Sequence, residues 1–111
     1  MQSEFRFTRH GCKPTYDVAI RLVGQTANDF SVTYDPDILL AHDSSTIAAI
    51  TLGIQSAYHS ASPQTPLAIS VVEAIDHSGV TGDLGFKICG EAAMNCLLGL
   101  PEKAPLPGYV L

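Results

Sequence analysis

The sequence predicts an α+β domain of β-β-β-α-β-α order: a four-stranded layer with two amphipathic helices across one face. Three observations predict it. Short stretches before residue 35 alternate apolar and polar residues. The run Asp43–Ala61 repeats apolar residues at steps of three and four. A later alternating run leads into a second helical stripe that ends at Gly99, with Pro101 beyond. Alternation places side chains on opposite faces of a strand, whereas steps of three and four place them on one side of a helix. A chain of 111 residues suits one domain, 1–111, with 100–111 as a Pro-rich C-terminal tail.

Residues 4–9 (EFRFTR) set Phe5 and Phe7 on one side of a first strand. HGCKPT at 10–15 contains Gly and Pro and reads as a turn. It makes a hairpin with a second strand over 16–22, where Tyr16, Val18, Ile20 and Leu22 alternate with Asp17, Ala19 and Arg21. Residues 24–29 are polar and turn-like. Phe30, Val32 and Tyr34 mark a third strand, which Asp35-Pro36-Asp37 ends because proline fixes φ and removes a ladder donor. Asp43, Ser44 and Ser45 offer N-cap oxygens to the first helix. Its stripe is Ile47, Ile50, Ile54, Ala57, Tyr58 and Ala61. Gly53 weakens this helix by about 1 kcal/mol relative to alanine and allows close approach to a sheet. The fourth strand puts Leu67, Ile69, Val71 and Ile75 on one face and Ala68, Ser70, Val72 and Ala74 on the other. Both faces are mostly apolar, so the strand is expected to be central. Asp76-His77-Ser78-Gly79 is a turn. Thr81 or Asp83 then caps a second helix running to Leu98, with Phe86, Cys89, Ala93, Cys96 and Leu97 on one face.

Hydrophobic residues make up 46% of the chain and charged residues 15%. That excludes a disordered chain and fits either a well-filled core or apolar surface used in self-association. No run approaches the roughly 18 apolar residues that cross a bilayer. The start MQSEFRFTRHG lacks the layout of a signal peptide. Three cysteines do not make a disulfide scaffold. The expectation is a soluble, cytoplasmic protein with no membrane partner. The net charge is −5, from 6 basic and 11 acidic residues. Arg6, Arg9, Lys13 and Arg21 face only Glu4 and Asp17 in the first 21 residues, while the rest of the chain is acidic. A generic nucleic-acid binder is basic overall, so any RNA contact here is expected to be local.

The stretch Ile47–Leu98 resembles domain IV of elongation factor G. In that family a helix of the form IxAVxxGIxxA leads to a strand, a loop D-G-S-Y-H-x-V-D-S-S, and a helix beginning A-F-K-I-A-G. Here Ile47-Ala48-Ala49-Ile50-Thr51-Leu52-Gly53-Ile54-Gln55-Ser56-Ala57 stands for the first helix, and Gly85-Phe86-Lys87-Ile88-Cys89-Gly90 opens the second. Counting back from Phe86 without a gap, His77 falls on the loop histidine. Asp29-Phe30-Ser31-Val32 sits where the family has a phrase like GFEF. The resemblance implies a two-layer sandwich with a left-handed split β-α-β unit, against the usual handedness rule. It also implies two tip loops side by side, which the family inserts into the ribosomal decoding site. Both loops depart from the pattern: Arg9-His10-Gly11-Cys12-Lys13-Pro14-Thr15 replaces a GGRGQYG-like phrase, and only His77 survives in the second. No G-x-x-x-x-G-K-[ST] phosphate loop is present, so GTP hydrolysis is not expected.

The candidate contact residues are therefore Arg9, His10, Lys13 and His77, a cluster able to hold phosphates through charge and turn amides. The bland alternative is two surface loops carrying polar residues. His10, Cys12 and His77 fall short of a zinc ligand set, and no CxxC exists. Cys12 beside His10 and Lys13 has the positive surroundings of a thiolate nucleophile but no recognisable orienting acid. Cys89 and Cys96 read as core. Glu73 interrupts an apolar face and is read as reaching water rather than as a catalytic carboxylate. His42 and His59 flank the first helix without visible partners. The function expected is non-enzymatic recognition of ribosomal or other structured RNA, without catalytic residues, metal or cofactor. The alternatives are a protein-interaction or self-associating (homo-oligomeric) module and, third, a small Cys/His enzyme.

Overall fold

The computed structural model describes residues 2–9, 16–77 and 82–99. In chain order the elements are β1 (Gln2–Arg9), β2 (Tyr16–Thr26), β3 (Ser31–Tyr34), α1 (Pro36–Ala41), α2 (Ser44–Ala61), β4 (Leu67–Asp76) and α3 (Asp83–Leu97). The strands hydrogen-bond in the order β1-β2-β4-β3. β2 is antiparallel to both β1 and β4, and β3 runs parallel to β4. The architecture is thus α+β, with helices on a mixed sheet. One expected detail is corrected. β3 and β4 are direct neighbours, so the β-α-β unit is not split. The chain returns from α2 straight to the edge of β3, and β2 occupies the other side of β4.

Three local features depart from the sequence reading. β2 does not stop at Leu22. Gly24, Gln25 and Thr26 stay in the strand because Ile69, Ala68 and Leu67 of β4 lie opposite, and a long-range ladder outweighs weak local propensity. Residues 36–41 form a helix where only a strand end was expected. Pro36 sits in its first turn beside Asp37, and proline's fixed φ suits a helix start as well as a strand end. The third feature is a bulge. Arg21 lies opposite Glu73 but Leu22 opposite Val71, so the register skips Val72. An extra residue reverses the alternation beyond it. Leu67, Ile69 and Val71 are buried as expected. Past the bulge, however, Ala74 turns inward at 6% exposure and Ile75 outward at 41%. Glu73 turns outward too and meets Arg21 at 3.2 Å. The reading of Glu73 as a solvated carboxylate thus agrees with the structure, though the bulge is what turns it out.

The core is one cluster filled by Val18, Ile20 and Leu22 of β2, Ile69 and Val71 of β4, Ile50 and Ile54 of α2, and Phe86, Cys89 and Met94 of α3. The helical stripes were legible: Ile50, Ile54, Ala57 and Tyr58 are all buried. Capping differs from expectation. Asp43 is the N-cap of α2 but makes no side-chain bond to a helix amide. Its carboxylate accepts from the Thr46 hydroxyl at 2.9 Å instead. Gly82, not Thr81 or Asp83, caps α3; Thr81 lies outside the described residues. Gly99 follows α3 with φ +71°, the left-handed stop expected of it.

Gly53 does allow close approach, but to a helix rather than to the sheet. A Cβ on Gly53 would press into the carbonyl of Lys87 and come 2.9 Å from the amide nitrogen of Glu91; one on Gly90 would lie 2.8 Å from the carbonyl oxygen of Ile50. Each helix therefore offers a glycine to the other's backbone.

Tyr34 ties β3 to α2. Its hydroxyl lies 2.6 Å from the Thr51 hydroxyl and donates to the Ile47 carbonyl at 3.1 Å. Burial raises its pKa above the ordinary 10.0, against a smaller opposing effect of the Thr51 bond. The neutral phenol is thus favoured in the folded state. Its contribution is fully present below pH 10 and is lost as pH rises above that, because the unfolded chain ionises first. Melting temperature should fall between about pH 9.5 and 11, and Tyr34→Phe should flatten that fall relative to the parent. Equal slopes in both proteins would rule Tyr34 out as the cause.

Candidate recognition end of the sheet

The register sets where the predicted contact residues lie. Phe7, Val18 and Asp76 form one row across β1, β2 and β4. Arg9 lies two residues beyond that row on β1, opposite Tyr16, and His77 follows Asp76 directly. β1 and β4 run in the same direction, so Arg9 and His77 leave the sheet at the same end. They are separated by two strand spacings, roughly 10 Å. His77 is exposed. His10 and Lys13 lie outside the described residues, as do Cys12 and the tail 100–111. Arg6 lies opposite Ala19 and Arg21 opposite Glu4. The ion pair with Glu73 offsets part of the Arg21 charge.

The start of α3 comes to this same end, since α3 follows β4 after only a few residues. His42 is drawn in as well, which the sequence reading missed. Its Nε2 lies 2.7 Å from the Ala74 carbonyl oxygen. Its ring meets the Phe86 ring edge-on at 5.6 Å. Nothing local in the sequence signals this, because both partners are more than thirty residues away. His59, also read as partnerless, packs edge-on against Phe30 and Tyr58, whose own rings stack at 3.8 Å.

The metal and thiolate readings both rest on His10 and Cys12, which lie outside the described residues. Among the described residues no cluster of three or more His, Cys, Asp or Glu could hold a metal ion. Cys89 is fully buried and its thiol donates to the Val18 carbonyl at 3.6 Å, as suits a core cysteine. Cys96 is half-buried. No helix among the described residues is long and apolar enough to cross a membrane. Leu40 is 86% exposed and Leu52 52%. α2 carries no Asp, Glu, Lys or Arg. Surface of this kind is what self-association would use.

No protein family matches the chain, and no curated protein matches it. Among solved structures the chain is similar to a protein of Thermus thermophilus known from its crystal structure, with a TM-score of 0.65 and 16% sequence identity. The likeness covers 84% of this chain but 14% of the other. The chain thus corresponds to a small part of a much longer protein, and at this identity the likeness is one of fold.

Proposed function

We propose that this chain is a non-enzymatic recognition module of the elongation factor G domain IV type, which engages ribosomal or other structured RNA through the sheet end bearing Arg9 and His77. The supporting observation is the register: Arg9 and His77, far apart in sequence, leave the sheet on the same side two strands apart. The reading includes the finer fold, a two-layer sandwich of four strands with both long helices on one face and a left-handed β-α-β crossover. His10 and Lys13 add to the contact, and the acidic remainder of the chain confines binding to this end. Phosphate contacts at so few residues give modest affinity with a clear salt dependence.

Filter binding or gel shift with purified ribosomal subunits, at about 50 and 200 mM salt, tests this. With two or three phosphate contacts, affinity should fall about 10- to 40-fold between those concentrations. Arg9→Ala and Lys13→Ala should each reduce both the affinity and the salt slope, whereas Lys87→Ala on α3 should change neither. Absence of binding at the lower salt concentration removes the proposal.

A further inference from the structure

We infer that His42 is a positioning residue that holds the end of β4, and with it His77, against the start of α3. The inference deepens the proposed reading of this sheet end and rests on it only for its functional consequence. β3 pairs with β4 no further than Val71. Residues 72–76 of β4 therefore have no strand on that edge among the described residues, and a strand end laddered to β2 on one side only opens more readily than one laddered on both. His42 stands in for the missing strand. A carbonyl oxygen can only accept, so the 2.7 Å contact with Ala74 requires that Nε2 carry the hydrogen. The other side of the contact is Phe86, 3% exposed and in the first turn of α3. One imidazole thus joins three segments: the α1–α2 junction, the end of β4 and the first turn of α3. Its purchase depends on the bulge, since skipping Val72 is what turns Ala74 inward. Ala74 lies three residues before His77, so slack at this carbonyl passes directly into the histidine.

Three variants separate the parts of the contact. Phenylalanine keeps an aromatic edge without a donor, alanine removes both, and glutamine places an amide N–H close to where Nε2–H stood. Long-range proton–nitrogen NMR of the parent should show the Nε2–H tautomer at His42. Amides of residues 74–77 should exchange about tenfold faster in His42→Phe, the equivalent of one lost hydrogen bond, while those in the middle of α2 stay unchanged. His42→Gln should restore most of that protection. Binding to ribosomal subunits at low salt should weaken several-fold in His42→Phe and recover in His42→Gln. An Nδ1–H tautomer, parental protection in His42→Phe, or glutamine behaving like alanine would each overturn the inference. If the parent itself does not bind ribosomal subunits, the RNA proposal fails alone, and the NMR and exchange measurements still decide the role of His42.

Discussion

Gly53→Ala is expected to lower stability by about 2–4 kcal/mol, even though alanine is the better helix former by about 1 kcal/mol. The added methyl would meet backbone, the Lys87 carbonyl and the Glu91 amide, and backbone has no rotamer to escape into. The helices must separate or slide, and the fully buried Ile50 and Ile54 would lose their packing as they do so. Gly90→Ala should behave alike, because its methyl would approach the Ile50 carbonyl oxygen to 2.8 Å. For a domain of this size the loss corresponds to a fall in melting temperature of about 10–20 °C. Gly82→Ser is the control. Nothing lies within 4 Å of a Cβ there, and serine is at least as good an N-cap, so stability should stay within about 0.5 kcal/mol. A Gly53→Ala protein as stable as the parent in urea denaturation would show that the two helices do not meet backbone to backbone.

Phe86→Ala should cost about 3–5 kcal/mol. The ring is 3% exposed in the first turn of α3, and it contributes both to the core and to the His42 contact. Truncation leaves a cavity beside His42, which joins α3, β4 and the α1–α2 junction. Urea denaturation of Phe86→Ala, His42→Ala and the double variant would measure the ring contact. The two losses should fall short of additivity by about 0.5–1.5 kcal/mol. Full additivity would mean that the edge-on contact contributes nothing beyond ordinary burial.

Much of this architecture was legible from residue order alone, for a physical reason. The stripes of α2 and α3 span four or more turns, so the helical period is over-determined, and Gly99 with Pro101 marks an end that few other conformations tolerate. What escaped notice depends on partners distant in sequence. Gln25 and Thr26 look like turn residues until Ala68 and Leu67 lie beside them. The bulge at Val72 has no local mark, since valine fits either side of a strand; hence Ala74 and Ile75 were assigned to the wrong faces. Gly53 advertised a close approach but not to what. α1 is six residues long, too short for a periodicity to show, though Pro36 and Asp37 were cues to a helix start. At the candidate site, the hairpin reading and the turn at His77 implied a shared end, and the register of Arg9 and His77 is of that kind. His42 could not be assigned a partner, because its hydrogen bond reaches across 32 positions.

The strand order has a consequence for how the chain comes into being. Among the described residues β4 is the last strand in chain order, yet it lies between β2 and β3. A chain still being synthesised and ending before Leu67 has strands at the margins and nothing in the middle. Among the described elements it holds the β1–β2 ribbon, β3 and the helices α1 and α2, and neither a two-stranded ribbon nor an unsupported helix is stable by itself in water. The sheet therefore stays open until residues 67–76 have been made, and β4 then joins β2 to β3.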